Sequence, residues 1–378
     1  MTSVYKLYNQ IKHYEWGSSF LLPDFLGQLN DNNLPFAEMW MGTHSGASSQ
    51  IDKNGKKVNL TEISDDLPFM LKLLAVEKNL SIQAHPEKEK AVYGFQLEEK
   101  KGISLTAHDR CYKDMNQKSE IICALSPFKL MAGFKEFSLI IESFEMLSYA
   151  AHQKSDFILS LVNLLKNNLL SDFFKKLFSI SKDDLESIRK IILSESFSDD
   201  QWELMKQFAV SFPQDPCFLS PLFLNILTLQ PGQAVFIPAG ILHAYLSGFG
   251  VELMNNSDNV LRGGLTSKYI NFDELLKILK FETYIPQIIN PVSENIFYYD
   301  VPCNYKLSVI KDETLLISNE NIAFPAVCIV TDGEVFADNM HFKKGESFFI
   351  AKETEQLPLK GKFTLYTAHT AKEVFESM

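Results

Sequence analysis

The chain has 378 residues, of which 46% are hydrophobic and 22% charged, and its formal net charge is −11. This composition is typical of a globular protein, and the length predicts two or three domains. The acidic balance argues against a nucleic-acid-binding protein, which needs a basic surface, so we expect no nucleic-acid partner. A local group of basic residues could still bind an anionic small molecule.

Sequence features that would direct the chain to a membrane are missing. No stretch reaches the roughly 18 apolar residues of a membrane span, and the opening MTSVYKLYNQIKHYEWG lacks the apolar core of a signal peptide. The five cysteines are scattered and show no CxxC spacing. Free thiols in a reducing compartment are the simplest interpretation. We therefore expect a cytoplasmic monomer with no membrane partner.

Residues 1–135 alternate short apolar runs with turns, as in PFAEMWMGTHSGASSQI and LPFMLKLLAV. This pattern predicts strands joined by loops. The pattern changes over residues 136–212, where apolar residues recur at helical spacing. Ser181 followed by Asp184 resembles a capping box, which marks a helix start. We predict a helical subdomain here, with a core that includes Phe157, Leu161, Leu164, Leu165, Leu185, Ile188 and Ile192.

Strand-like segments return from about residue 218, in PGQAVFIPAGILHAY and GVELM. The tail 300–378 is similar, and Asp332-Gly333 predicts a hairpin turn there. PGQAVFIPAG (231–240) and KKGESFFIAK (343–352) form a faint repeat that suggests two double-sheet β-barrels of jelly-roll design. We predict a mainly β fold with an α-helical insertion. The expected domains are 1–135 with 213–299, the helical subdomain 136–212, and a C-terminal β domain 300–378.

Four polar residues interrupt apolar runs in a way that suits a metal site. Gln83 and His85 are two residues apart in LSIQAHP and would share one face of a strand. Glu120 precedes the apolar run IICAL, and His243 follows a Pro-Ala-Gly turn. Two imidazoles, a carboxylate and an amide oxygen suit a divalent metal, zinc first. Each residue alone is more often structural or solvated, and His44 in GTHSG is interpreted as a loop residue.

A second group could bind an anion and transfer a proton. Arg262 is followed by two glycines and then by Lys268, a pattern that suits a phosphate clamp as well as it suits a basic surface turn. Glu252 and Asp258 are candidate general bases, although each alone is more often an ordinary hydrogen-bonding residue. Lys72 and Lys118 are further basic residues for which a solvated position is the simpler interpretation.

These stretches together resemble the type I phosphomannose isomerases, that is, the type I mannose-6-phosphate isomerases. The resemblance runs from about residue 5 to 275 and continues weakly to the end. The stretches that carry it are long and in the order of the family: YEWGS (14–18), AEMWMGTHSGASS (37–49), LPFMLKLLAVEKNLSIQAHP (67–86), YKDMNQKSE (112–120), ALSPFKLMAGF (124–134), PAGILHAYLSG (238–248) and ELMNNSDNVLRGGLTSKYI (252–270).

The resemblance implies a cupin jelly-roll barrel with a helical insertion and a second, degenerate cupin-like β-barrel. It implies one zinc ion per chain, interconversion of mannose 6-phosphate and fructose 6-phosphate, and a role in mannose metabolism. The implied zinc ligands are Gln83, His85, Glu120 and His243. Arg262 is implied as catalytic, and Lys72 and Lys118 are implied as active-site lysines. Glu252 is our leading hypothesis for the general base, ahead of Lys118 and Asp258, because a carboxylate can shuttle a proton without leaving the pocket. The pocket positions are Lys72, Ser81, Lys268, Tyr245, Glu38, Trp16 and Asp258.

The sequence departs from the family pattern at four positions. Gln117 replaces a histidine and cannot act as an acid or base. Ser119 and Ser267 each replace a proline, and Lys135 replaces an arginine. Whether Arg262 and Lys268 hold the phosphate or the developing oxyanion stays open. Two other functions remain: a metal-dependent oxygenase of the cupin superfamily, and a sugar-phosphate-binding protein that has lost its activity.

Overall fold

The fold is mainly β, and the computed structural model describes residues 4–195 and 199–371. The strands are β1 (Val4–Lys6), β2 (Gln10–Lys12), β3 (Glu38–Met41), β4 (Gln50–Lys53), β5 (Lys56–Asn59), β6 (Phe69–Val76), β7 (Ile82–Ala84), β8 (Glu120–Ala124), β9 (Phe128–Phe134), β10 (Leu224–Leu229), β11 (Ala234–Ile237), β12 (His243–Asn255), β13 (Leu261–Gly264), β14 (Ile288–Ile289), β15 (Ile296–Tyr299), β16 (Tyr305–Ser318), β17 (Ala326–Ala337), β18 (Met340–Lys343), β19 (Ser347–Ile350) and β20 (Gln356–Thr370). The helices are α1 (Leu21–Phe25), α2 (Lys88–Lys100), α3 (Phe137–Ala150), α4 (Asp156–Lys166), α5 (Leu170–Phe178), α6 (Lys182–Ser194), α7 (Asp200–Ser211), α8 (Ser220–Phe223) and α9 (Phe272–Ile278). None of these helices is long and apolar enough to cross a membrane.

The long strand β12 belongs to two sheets. Its second half pairs with β6 and β8, in the strand order β14-β11-β8-β12-β6-β3-β2. Its first half pairs with β7 and β9, which in turn pair with β13 and β10. Gly248 lies at the change, with a φ of +126° and no space for a Cβ, which would lie 2.6 Å from the carbonyl oxygen of Pro127. One strand therefore brings His243 at its start and Glu252 near its end to the same region.

Helices α3 to α7 confirm the predicted helical region and pack on β9 and β10 through a large apolar cluster. The hydroxyl of Ser181 accepts a hydrogen bond from the backbone N–H of Asp184, as the capping pattern predicted. The predicted stripe of Leu185, Ile188 and Ile192 is buried. The end of α7 reaches the large cavity described below. This helical layer thus forms one side of that cavity.

Helix α2 corrects the prediction of strands and loops for residues 1–135. Its sequence KEKAVYGFQLEEK is rich in charge, and the buried residues along it are only Ala91, Gly94 and Glu98. Helices are recognised in a sequence by a broad apolar stripe, which α2 lacks. The helix is held instead by polar contacts, since the Glu98 carboxylate accepts hydrogen bonds from the backbone of Cys111 and Tyr112.

A separate sheet, here called the C-terminal sheet, has the order β1-β19-β17-β20-β16-β15, with β18 paired to β17. It packs on β6 and β12 through a shared apolar cluster. The prediction of a hairpin turn at Asp332-Gly333 is wrong, because β17 continues to Ala337 and the chain reverses there into β18. The two glycine-preceded segments of the faint repeat form β11 and β19, which are inner strands of different sheets. The cysteines are all free, as predicted.

Candidate active site

Strands β6 and β12 present charged side chains on the face opposite their apolar core. Lys72 and Glu252 are register partners on these strands. Their neighbours Leu71, Leu73 and Val251 are buried in the cluster shared with the C-terminal sheet. Because side chains alternate along a strand, Lys72 and Glu252 point to the other face. There the Nζ atom of Lys72 lies 3.4 Å from Oε2 of Glu252.

The charge of Lys72 is balanced by two buried carboxylates. Its Nζ atom also lies 3.6 Å from Oε1 of Glu38, whose other oxygen accepts a hydrogen bond from Nε1 of Trp40. Burial opposes the charge of Lys72, but Glu38 and Glu252 together raise its pKa above the ordinary value. Burial and the charge of Glu120 raise the pKa of Glu252 in spite of Lys72. The Glu252 carboxylate is therefore a stronger base than an exposed one.

Three metal-binding side chains converge beside this pair. Nε2 of His85 lies 3.2 Å from Oε1 of Glu120, and Nε2 of His243 lies 3.2 Å from Oε2 of Glu120. The possible ligand atoms of the three residues all lie within 4.8 Å of one another. At most 2% of any of these residues is exposed. The group is assembled from the end of β7, the start of β8 and the start of β12.

Both imidazoles are held in the tautomer that a metal needs. Nδ1 of His85 lies 2.7 Å from the carbonyl oxygen of Asn259, and Nδ1 of His243 lies 3.0 Å from that of Ile241. A carbonyl can only accept, so each Nδ1 carries the proton and each Nε2 offers its lone pair. Among the described residues, Nε2 of His85 has no aligned hydrogen-bond partner although Glu120 is near.

The electrostatics favour the ligating forms of His85 and Glu120. Burial and then the charge of Lys118 lower the pKa of His85 to about 4, so its imidazole is neutral near pH 7. Burial opposes ionisation of Glu120, but Lys118, His85 and His243 together hold its pKa well below the ordinary value. Neutral imidazoles and an ionised carboxylate are the forms that bind zinc. The orphaned His85 nitrogen and this donor set fit a zinc ion.

The fourth predicted ligand, Gln83, lies next to this group. It is the register partner of both His243 and Arg262. Its Nε2 atom is 3.5 Å from Nε2 of His243. Turning the amide about its last bond would direct the oxygen to the same point, and the two amide orientations are a matter of assignment. Gln83 as a ligand stays a prediction.

Two further predicted residues contact Glu120. Nζ of Lys118 lies 2.9 Å from Oε1, and the hydroxyl of Tyr245 donates to Oε2 at 3.2 Å. Burial, followed by the charges of Glu120 and Glu252, raises the pKa of Tyr245 well above its ordinary value, so the phenol stays a hydrogen-bond donor. Both residues thus orient the carboxylate and reach the cavity.

A single cavity of about 1270 Å³ joins the predicted residues. All of them line it except His85 and His243, which contact the lining residue Glu120. The far side is formed by α7 and the loop that follows it. The lining residues among the predictions are Trp16, Glu38, Lys72, Ser81, Gln83, Lys118, Glu120, Tyr245, Glu252, Asp258, Arg262 and Lys268.

The two cations predicted to bind an anion differ in depth. Arg262 is half-buried on β13 beside Gln83, and burial lowers its pKa. Lys268 is exposed in the loop after β13. Burial and the nearby charges of Arg262 and Lys113 lower the pKa of Lys268. The cations repel one another, as expected at a site that receives an anion.

Sequence reasoning missed two residues of this region. His44, interpreted as a loop residue, is 5% exposed, and its Nε2 atom lies 3.3 Å from Oδ1 of Asp258. Asn259, which accepts the hydrogen bond of His85, was not singled out. No strand or helix periodicity covers either turn, so the sequence carried no signal for them. Gln117 is half-buried and is not part of the cavity wall among the described residues.

Fold and site together define a mainly β protein with a metal-binding cavity that is equipped for acid–base chemistry. Residues 4–137 match the family described as phosphomannose isomerase type I, catalytic domain. Mannose-6-phosphate isomerase of Escherichia coli (strain K12) is 33% identical over 383 residues, which cover 94% of this chain and 97% of the relative. The chain belongs to the type I phosphomannose isomerase family.

Further relatives agree with this assignment. Mannose-6-phosphate isomerase of Homo sapiens is 31% identical over 322 residues, covering 74% of this chain and 73% of the relative. The crystal structure of mannose 6-phosphate isomerase from Salmonella typhimurium, bound to its substrate fructose 6-phosphate and to zinc, has a TM-score of 0.88 and 32% identity. It covers 98% of this chain and is itself covered completely, at 100%.

Proposed function

We propose that this chain interconverts mannose 6-phosphate and fructose 6-phosphate and binds one zinc ion. The observation that carries the proposal is the buried group of His85, Glu120 and His243 next to the Lys72–Glu252 pair, at the wall of one cavity. Relatives over nearly the whole chain length are mannose-6-phosphate isomerases, and one solved structure holds fructose 6-phosphate and zinc. The reaction transfers a proton between C1 and C2 of the open-chain sugar.

The metal would be held by His85, Glu120 and His243, with Gln83 as the fourth ligand. When bound, zinc supplies a Lewis acid that polarises an oxygen of the substrate. The chain itself holds Nδ1 of both imidazoles against the carbonyl groups of Asn259 and Ile241, so that Nε2 is the nitrogen left to bind the metal. This donor set contains fewer histidines than the sites of cupin oxygenases usually offer, which supports zinc and isomerase chemistry.

Glu252 is the proposed general base, which carries the proton between C1 and C2. Its raised pKa and its position on the cavity wall suit this task. The other two candidates suit it less well. The Lys118 ammonium is paired with Glu120 at 2.9 Å. Burial raises the pKa of Asp258, but His44, together with Lys113 and Lys118, brings it below its ordinary value and makes it the weaker base.

The remaining predicted residues would bind and orient the sugar. Arg262 lies beside Gln83 and would stabilise the charge that develops on the sugar oxygens. Lys268, nearer to solvent, would bind the phosphate. Fixing both ends of the open-chain sugar phosphate holds its reacting carbons in place. Trp16, Ser81, Tyr245, Glu38, Lys72 and Asp258 would complete the pocket.

The architecture fits the cupin jelly-roll proposed from the resemblance. The passage of β12 between two sheets is what a closed double sheet requires. We propose residues 1–135 with 213–299 as the catalytic domain, 136–212 as the helical subdomain and 300–378 as a degenerate cupin-like domain. Strands β1 and β15 pair with the C-terminal sheet and tie these units together. We further propose that the protein is a cytoplasmic monomer.

The test is a coupled assay of fructose 6-phosphate formation from mannose 6-phosphate. We expect activity from the zinc-loaded protein, its loss after chelation, and its recovery when zinc is returned. A folded protein with one zinc per chain that binds mannose 6-phosphate without converting it would instead indicate a sugar-phosphate-binding protein. Gln117, in place of a histidine, is the feature that makes this second outcome worth measuring.

A further inference from the structure

We propose that Asn259 is the positioning residue of the metal centre, because it joins His85 to the segment 113–116 that leads to Glu120. The inference rests on the proposed zinc site. Asn259 is fully buried, at 0% exposed, in the turn between β12 and β13. Its backbone contacts the ligand His85, and its side chain contacts the segment that precedes the ligand Glu120.

The backbone of Asn259 fixes the first ligand. Its carbonyl oxygen lies 2.7 Å from Nδ1 of His85 and accepts the ring proton. This contact sets both the tautomer and the rotation of the imidazole. A displacement of the Asn259 backbone would therefore turn the ligating nitrogen of His85 away from Glu120.

The side chain of Asn259 fixes the segment that precedes the second ligand. Its Oδ1 atom accepts hydrogen bonds from the backbone N–H groups of Lys113 at 2.7 Å and Asp114 at 3.2 Å. Its Nδ2 atom donates to the carbonyl oxygens of Asp114 and Asn116, both at 2.9 Å. Every hydrogen-bonding position of the buried amide is used on this segment, which reaches Glu120 four residues later.

Asp114 holds the same turn from the other side. Its carboxylate accepts hydrogen bonds from the hydroxyl of Ser257 at 2.9 Å and from the backbone N–H of Asp258 at 2.8 Å. Nδ2 of Asn259 lies 3.2 Å from the same carboxylate. The segments 113–116 and 257–259 are therefore one hydrogen-bonded unit with the Asn259 amide at its centre. Loss of the Asn259 amide should loosen His85 and Glu120 relative to each other.

The test measures zinc affinity by competition with a chromophoric chelator, for the wild type and for Asn259→Ala. Partners that orient metal ligands typically contribute about 10–100-fold to metal affinity, and we expect a loss in that range. The absorption spectrum of the cobalt-substituted variant should also change, because it reports ligand geometry. Neither readout would move if Asn259 served only to stabilise the fold.

Asn30→Ala is the matched control. The Asn30 side chain also clamps a loop, with three hydrogen bonds to the backbone of Ser19 and Leu34. It contacts no residue of the metal-binding group in the described part of the chain. We expect its zinc affinity to stay within about threefold of the wild type, even where its melting temperature falls.

If the alanine variant does not fold, Asn259→Asp tests whether Asn259 positions the metal ligands. It keeps the acceptor for Lys113 but places a second carboxylate against Asp114, so weaker zinc binding is again expected. Wild-type zinc affinity and an unchanged cobalt spectrum in the folded variant would overturn the role of Asn259 and leave the proposed metal site standing. A wild-type protein that binds no zinc would overturn the proposed metal site and this inference together.

Discussion

Lys72 and Glu252 face each other on adjacent strands, with Nζ and Oε2 3.4 Å apart and both side chains almost fully buried. Glu38 contacts the same ammonium at 3.6 Å. One cation is therefore shared by two carboxylates, and burial keeps the pKa of Glu252 raised. This arrangement suits a base that must give its proton back within one turnover.

Replacing the proposed base should stop proton transfer without disturbing the metal. We expect Glu252→Gln to lower kcat by about 100-fold or more, the usual contribution of a general base, while one zinc stays bound. Steady-state kinetics and metal analysis check this. Glu186→Gln, on the exposed face of α6, is the control and should keep full activity. An unchanged kcat in Glu252→Gln would assign the base to another residue.

Removing the shared cation should cost stability. Lys72→Met leaves Glu38 and Glu252 buried without their partner, and breaking a buried ion pair in this way typically costs about 3–5 kcal/mol in the free energy of unfolding. Denaturant titration checks the value. Adding Glu252→Gln to Lys72→Met should restore part of the lost free energy of unfolding, because the double variant retains only one of the two carboxylates. Equal stability of Lys72→Met and the wild type would contradict the ion pair.

The pH dependence of the metal-free protein should report on His85. Its pKa is lowered from 6.5 to about 4, chiefly by burial and then by Lys118. Between these values the unfolded chain binds more protons than the folded chain, so the free energy of unfolding falls as the pH falls through this window. We expect a loss of about 2 kcal/mol between pH 7 and pH 5 from this residue.

Denaturant titrations of the wild type and His85→Gln at both pH values isolate this contribution. The variant has no group that titrates at this position, so its loss between pH 7 and pH 5 should be smaller by the stated amount. Parallel losses in the two proteins would show that His85 is not held neutral by the fold.

Metal binding should depend on His243. We expect His243→Ala to retain less than about a tenth of the bound zinc after dialysis, because it removes one of the ligands. Metal analysis gives the zinc content directly. His369→Gln replaces a buried histidine of the C-terminal sheet and should keep its zinc. Full zinc content and activity in His243→Ala would rule out the site.

Substitutions of the two proposed anion-binding cations should affect different kinetic constants. Arg262 lies beside the metal-binding group, and we expect Arg262→Ala to lower kcat by about 100-fold, as for loss of an oxyanion donor. Lys268 is exposed, so Lys268→Ala should raise KM by about fivefold with little change in kcat. Lys190→Ala on the helical subdomain is the control. The reverse pattern would exchange the two roles.

Local patterns in the sequence predicted the elements whose signal is local. Helical spacing over 136–212 predicted α3 to α7, and the Ser181–Asp184 pattern predicted the start of α6. Lys72 stands alone in the apolar run FMLKLLAV, which could not show that its charge would be buried between two carboxylates. The charged helix α2 had too weak an apolar stripe to be recognised. Asp332-Gly333 had the chemistry of a hairpin turn, but sheet pairing carries β17 through it.

The sequence by itself determined the chemical inventory, that is, the imidazoles, carboxylates and lysines, and through long motifs the family to which they belong. Only the tertiary structure decided that His85, Glu120 and His243 meet, that Lys72 lies between Glu38 and Glu252, and that His44 and Asn259 support the site. The reason is physical. A periodic pattern reports the local conformation of a segment, whereas strand register and buried hydrogen bonds depend on residues that are distant in the chain, such as Lys72 and Glu252 or His85 and Asn259.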